Sequence, residues 1–143
     1  MSEVILLVGL PGCGKSSYAS KKAKEGWIVI NDDALVTMFH GGHYTKYDPL
    51  LKSFYLSAEI NLFLNAINNN LNVIIDRPNL TKASRAKYLS LCTSLMVPVT
   101  CVLFNNFDKK KLLNNRMKNG GRNISKKRWK EVIDNMWQVY EEP

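Results

Sequence analysis

Apolar residues along this chain fall into two kinds of run. Four runs are short, continuous and rich in β-branched residues: Val4–Val8, Trp27–Ile30, Val73–Ile75 and Val97–Phe104. Unbroken apolar character over so few positions predicts strands covered on both faces, as inside a parallel sheet. The other kind repeats at three- and four-residue steps. It predicts helices over Ser16–Lys24, Leu35–Phe39, Leu50–Asn68, Lys82–Ser94, Asp108–Lys118 and Ser125–Tyr140. Asp108 and Ser125 suit the N-cap position, where a side-chain oxygen accepts from a first-turn amide. Within Leu50–Asn68 the expected buried face is Leu51, Phe54, Tyr55, Ala58, Leu62 and Ala66. In the last helix, Trp129, Val132, Ile133, Met136, Trp137 and Tyr140 form a stripe expected to pack as core.

Strands alternating with helices predict an α/β domain of three layers, with a mainly parallel sheet of four to five strands. A length of 143 residues fits a single domain with a real core. Loops that follow parallel strands gather at one end of the sheet, where ligands bind. Three such loops carry chemistry: Gly9–Ser16, Asn31-Asp32-Asp33 and Asp76-Arg77-Pro78-Asn79.

The first is the most informative. Gly9-Leu10-Pro11-Gly12-Cys13-Gly14-Lys15-Ser16 matches G-x-x-x-x-G-K-[ST] in full, between a strand and a helix. Such a loop turns backbone N–H groups inward around a phosphate at the positive end of the helix that follows. Gly12, Cys13, Gly14, Lys15, Ser16 and Ser17 form the expected ATP-binding set. Lys15 reaches the β- and γ-phosphates, and the Ser16 hydroxyl ligates Mg²⁺.

Phosphoryl transfer needs alignment, charge neutralisation and a destination for the acceptor's proton. Asp32 and Asp33 supply candidates for that base, and an aspartate here also suits a helix N-cap. One residue can serve each purpose. Asp76 ends an apolar strand beside the phosphate loop. It is a candidate Mg²⁺ ligand, directly or through water, and equally a turn-forming aspartate. Arg116 and Arg122 flank a segment containing Gly120-Gly121, which reads as a hinge for a lid that brings guanidinium groups over the triphosphate. Arg77 and Arg85 are further phosphate-binding candidates. His40 and His43 have neither a paired acid nor metal-ligand spacing and are expected in a loop lining the acceptor site.

Charge sharpens this picture. The net charge is +8, and residues 72–143 carry all of it; residues 1–71 balance at six lysines and six acids. A basic second half suits an anionic partner, although Lys109-Lys110-Lys111 alone reads as a solvated surface. Cys13, Cys92 and Cys101 have no metal-ligand spacing; Cys92 and Cys101 are expected as packed thiols. No apolar run approaches the ~18 residues of a membrane span, and the start has no basic leader. A soluble, cytoplasmic protein is expected.

Taken together, these residues resemble the small P-loop kinases related to the kinase domain of phage polynucleotide kinase, within the AAA-like and zeta-toxin-like group. The resemblance rests on Gly9–Ser16, Ile30-Asn31-Asp32-Asp33, Val73-Ile74-Ile75-Asp76-Arg77-Pro78-Asn79-Leu80 with Arg85 downstream, and the Arg116–Arg122 lid. It implies an ATP- and Mg²⁺-dependent transferase acting on the 5′-hydroxyl of DNA or RNA, with Lys15, Asp33, Arg116 and Arg122 catalytic. Asp33 takes the place of the general base, and Asp32, Arg77 and Arg85 fall on the acceptor side. Those enzymes carry an arginine three residues beyond the base; here that position is Val36. Two other functions stay open: a kinase of a small metabolite or nucleotide, and a weakly hydrolysing nucleotide-binding switch.

Overall fold

A computed structural model describes residues 1–105, 108–118 and 124–143. Its elements run β1 (Val4–Val8), α1 (Lys15–Lys24), β2 (Ile28–Asn31), α2 (Asp32–Phe39), α3 (Lys52–Asn68), β3 (Val73–Asp76), α4 (Lys82–Ser94), β4 (Val99–Leu103), α5 (Lys109–Lys118) and α6 (Lys126–Val139). The four strands form one parallel sheet in the order β2-β3-β1-β4. Asn31 sits opposite Asp76, and Ile30 opposite Ile75. The two strands with the most apolar sequences, β1 and β3, are central, and every residue in them is buried.

Alternation within the strands divides the core. Val4, Leu6, Ile30, Val73 and Ile75 pack against Phe63, Ala66 and Ile67 of α3 and Tyr88 and Cys92 of α4. Ile5, Leu7 and Ile74 point the other way, onto Ala19 of α1. This is the three-layer arrangement expected from the sequence. A third cluster lies beyond the ends of the strands, where Leu10 and Leu80 meet Leu112 and Leu113 of α5 and Trp129 and Ile133 of α6. The stripe on α6 therefore does pack as core, except Trp137, which is exposed. Asp108 and Ser125 cap their helices, each accepting from the amide three residues on, Lys111 at 3.3 Å and Arg128 at 3.2 Å.

Several expectations change. The edge strands β2 and β4 are not covered on both faces, and Thr100, Cys101 and Leu103 are exposed. Cys101 is thus a surface thiol, while Cys92 is packed. Helix α2 begins at Asp32 rather than Leu35. Its cap is Asn31, whose Oδ1 accepts from Ala34 N at 2.8 Å, so Asp32 and Asp33 occupy the first turn and neither is the N-cap. Helix α3 keeps Tyr55 and Ala66 of its expected buried face and replaces the rest. Tyr55, Glu59, Phe63, Ala66 and Ile67 are buried, whereas Phe54 is 52% and Leu62 45% exposed. Among the described residues no helix is long and apolar enough to cross a membrane.

Candidate active site

The phosphate loop joins β1 to α1. Gly12 and Gly14 have φ of 81° and 101°, the left-handed region that glycine enters without strain. No side chain caps α1, so its first-turn amides remain for an anion. The Lys15 ammonium donates to the carbonyls of Gly9 at 2.8 Å and Leu10 at 3.0 Å, and to Cys13 Sγ at 3.5 Å. The loop is braced from behind. Gly9 N donates to Pro78 O at 3.0 Å, and the Asn79 amide donates to Leu7 O at 2.7 Å.

Asp76, at the end of β3, is buried. Its Oδ2 accepts from Ser16 Oγ at 3.1 Å and from Asn31 Nδ2 at 2.9 Å. A hydroxyl and a carboxylate this close form an all-oxygen donor pair. Mg²⁺ takes one or two carboxylates and completes its shell with water and substrate phosphates, so Ser16 and Asp76 fit that ion.

A second polar group lies across from the loop. Arg77 Nε approaches Asp32 Oδ2 at 3.4 Å and Glu59 Oε1 at 3.6 Å. Asp32 Oδ1 also accepts from Asp33 N at 2.9 Å. Burial, aided by the charge of Asp33 and opposed by Arg77, pushes the Asp32 carboxyl up to about 7. Burial raises Glu59 as well, against the pull of Arg77. For Arg77, burial works against the charge, but Glu59 and Asp32 overcome it and raise its pKa. Burial and the Glu59 charge raise the Tyr88 phenol.

Apart from Glu59 and Tyr88, these groups line one cleft of about 970 Å³. It brings together the loop from Gly12 to Ser17, Asp32, Asp33, Asp76, Arg77 and Arg116. Asp33 also lines an adjoining groove with Ser16, Asn31, Thr37 and Asp76. Tyr44, Thr45 and Tyr47 close one side, and Trp129, Val132 and Met136 the other. The α6 stripe is therefore both core and wall. The Arg116 guanidinium lies 4.4 Å from the centre of the Trp129 ring, close enough for cation–π attraction.

Three predicted participants are placed elsewhere. Arg85 is 2% exposed, and its guanidinium donates to the carbonyls of Asn79 at 2.8 Å, Leu80 at 3.1 Å and Glu142 at 3.1 Å. It fastens backbone and does not face the cleft, which corrects its expected place on the acceptor side. His40 contacts the Tyr55 hydroxyl at 2.6 Å, and neither it nor His43 lines the cleft. Arg122, with Gly120-Gly121, lies outside the described residues.

Sequence reasoning missed Glu59, Asn31 as the Asp76 donor, and Asn115, which donates to Gly12 O at 3.1 Å. Glu59 carried a signal. It stands four residues from both Tyr55 and Phe63, so it interrupts an otherwise apolar helical stripe.

With the site described, its relatives can be placed. A family profile described as AAA domain (AAA_33) matches residues 4–143. The chain belongs to that family. It is a nucleotide-binding P-loop kinase domain, with homologues among polynucleotide kinase domains. It is 33% identical over 97 residues to a putative bifunctional polynucleotide kinase/RNA ligase of Autographa californica nuclear polyhedrosis virus, covering 57% of this chain and 13% of that protein. It is 29% identical over 101 residues to a bifunctional polynucleotide phosphatase/kinase of Schizosaccharomyces pombe, covering 70% and 20%. The chain thus spans a fifth or less of these relatives. Among solved structures, the Pnkp1/Rnl/Hen1 RNA repair complex matches with a TM-score of 0.77 and 20% identity, over 96% of this chain and 45% of that one. A gluconokinase from Sinorhizobium meliloti 1021 matches at 0.64 and 20% identity, over 99% and 76%. At such identities the structural matches establish the shared fold.

Proposed function

We propose that this domain transfers the γ-phosphate of ATP to the 5′-hydroxyl of a polynucleotide. The observation that carries the reading is the composition of one cleft. The phosphate loop from Pro11 to Ser16, an oxygen donor pair suited to Mg²⁺, a pair of aspartates and the arginines Arg77 and Arg116 all line it. Lys111, Lys118 and Arg128 line it too, which suits an acceptor that is itself a chain of phosphates.

In this reading the α1 amides and Lys15 hold the β- and γ-phosphates. Ser16 and Asp76 would hold Mg²⁺, which would supply charge neutralisation on the phosphate oxygens. Asp33 accepts the proton of the 5′-hydroxyl as its oxygen forms a bond to the γ-phosphorus. The bond between that phosphorus and the β–γ bridging oxygen breaks, and ADP leaves with the electron pair. Arg116, steadied on Trp129, and Arg122 meet the charge that develops. Arg77 provides the acceptor-side guanidinium beside Asp32. Val36 does not, being apolar and 5% exposed.

Val36 is also the observation that favours the second reading, a kinase of a small metabolite or nucleotide. A γ-phosphate transfer assay run in parallel on 5′-hydroxyl oligonucleotides, mononucleotides and small polyols decides between them. Label on oligonucleotides supports the proposal; label confined to the small acceptors overturns it.

A further inference from the structure

Among the described residues, Glu59 is the one buried carboxylate in the neighbourhood of the cleft that the transfer reaction does not use. It sits on α3, is 2% exposed, and does not line the cleft. Tyr55 and Phe63, one turn away on either side, belong to the apolar core face. A fully buried glutamate is rare and costs free energy unless it is paired. Its described ion-pair partner is Arg77, reached from the loop after β3.

The geometry of that contact is particular. Both carboxylates approach the same atom, Nε of Arg77, with Asp32 arriving from α2 and Glu59 from α3. Tyr88 also adjoins both Glu59 and Arg77, but its hydroxyl has no hydrogen-bond partner, and no described hydrogen bond uses either terminal nitrogen of Arg77 (its backbone carbonyl accepts from Asn79). The side chain remains 23% exposed and lines the cleft. Nε is buried there and makes ion-pair contact without a hydrogen bond; an arginine held on that side has its two-nitrogen edge left to meet an oxyanion, the fork geometry that matches phosphate.

We infer that Glu59 is a positioning residue for Arg77, holding the guanidinium by Nε so that its terminal nitrogens face a phosphate of the acceptor. This rests on the acceptor-side place given to Arg77 above. A purely stabilising role is the competing account, yet buried ion pairs add little stability compared with apolar packing of the same volume. The two accounts differ in what Glu59→Gln changes.

The test has two arms, both on the full chain. In the first, the Arg77 Nε–H resonance of ¹⁵N-labelled protein is followed without substrates. A slowly exchanging signal in the wild type should exchange at least tenfold faster in Glu59→Gln. An unchanged signal overturns the inference. In the second, an acceptor with a phosphate adjacent to its 5′-hydroxyl nucleoside is compared with a bare nucleoside. Glu59→Gln should raise KM for the phosphate-bearing acceptor roughly tenfold, leaving kcat and the ATP KM within about twofold. Arg77→Ala should do the same, and Glu59→Gln/Arg77→Ala should be no worse than Arg77→Ala. Additive losses, or a loss shared equally by both acceptors, overturn it. Glu59→Met keeps the buried volume without the carboxylate and should show the same split even if Glu59→Gln melts early. Should the wild type phosphorylate no oligonucleotide, the proposed function fails, and the resonance arm alone decides the role of Glu59.

Discussion

The Asn115 side-chain amide donates to the Gly12 carbonyl at 3.1 Å, so helix α5 rests directly on the phosphate loop. Gly12 and α5 are in contact on another side as well, since a Cβ built on Gly12 would collide with the Leu112 carbonyl oxygen. The helix that carries Arg116 is therefore referenced to the phosphate loop, and not to the sheet alone.

Gly12→Ala tests that contact. The substitution meets both a positive φ and the α5 backbone. A left-handed alanine costs about 1–2 kcal/mol by itself, and displacement of α5 adds to it. Thermal melting should fall by several degrees, and calorimetric Mg·ATP affinity should drop. Wild-type values for both would mean α5 does not seat on the loop.

Asp76→Asn keeps the shape of the site and removes the charge that suits Mg²⁺. The half-saturating Mg²⁺ concentration for transfer should rise about tenfold or more, with the fold retained because Ser16 and Asn31 can still bond the amide oxygen. Ser16→Ala should shift the Mg²⁺ titration in the same direction.

Asp33→Asn should lower kcat by about 10²–10⁴-fold, the usual contribution of a positioned base, with Mg·ATP affinity nearly intact by calorimetry. If Asp32→Asn produces that loss and Asp33→Asn does not, the base is Asp32.

Asp32 also predicts a pH dependence of stability. Its carboxyl titrates near 7 in the fold, against about 3.9 in an unfolded chain. The folded state therefore holds the proton more tightly. The resulting stability is fully present below about pH 4 and is lost as pH rises through about 7. Asp32→Asn cannot lose it. Relative to wild type, this variant should gain about 2–3 kcal/mol between pH 5 and pH 8, a shift of several degrees in melting temperature. Parallel melting curves at the two pH values would contradict the raised pKa.

Arg85→Met should be costly to stability and silent in acceptor binding. Three backbone carbonyls lose a charged donor, worth about 3 kcal/mol when they stay buried. Chemical denaturation should show the loss, while acceptor KM changes less than twofold. A large KM effect would return Arg85 to the acceptor side.

How far the sequence reached follows from how local each signal is. Unbroken apolar runs identified β1 and β3, because central parallel strands have no solvent face to mark with polar residues. The phosphate loop was legible because its conformation and its chemistry lie within eight consecutive residues. The caps Asp108 and Ser125 were legible for the same reason. The α3 face was legible only in part, since two overlapping stripes fit its spacing: Tyr55 and Ala66 are buried as expected, while Leu51, Phe54 and Leu62 of the same stripe are exposed and Glu59, Phe63 and Ile67 are buried instead.

Sequence alone thus determined the layered α/β plan, the phosphate-loop motif and the cast of acidic and basic candidates. Those depend on periodicity and on neighbours along the chain. Tertiary structure decided which candidates meet. It joined Ser16 to Asp76 across 60 positions, turned Arg85 away to bind backbone, and put Glu59 behind Arg77. Burial and long-range pairing fix such choices, and both arise only once the strands have ordered themselves as β2-β3-β1-β4.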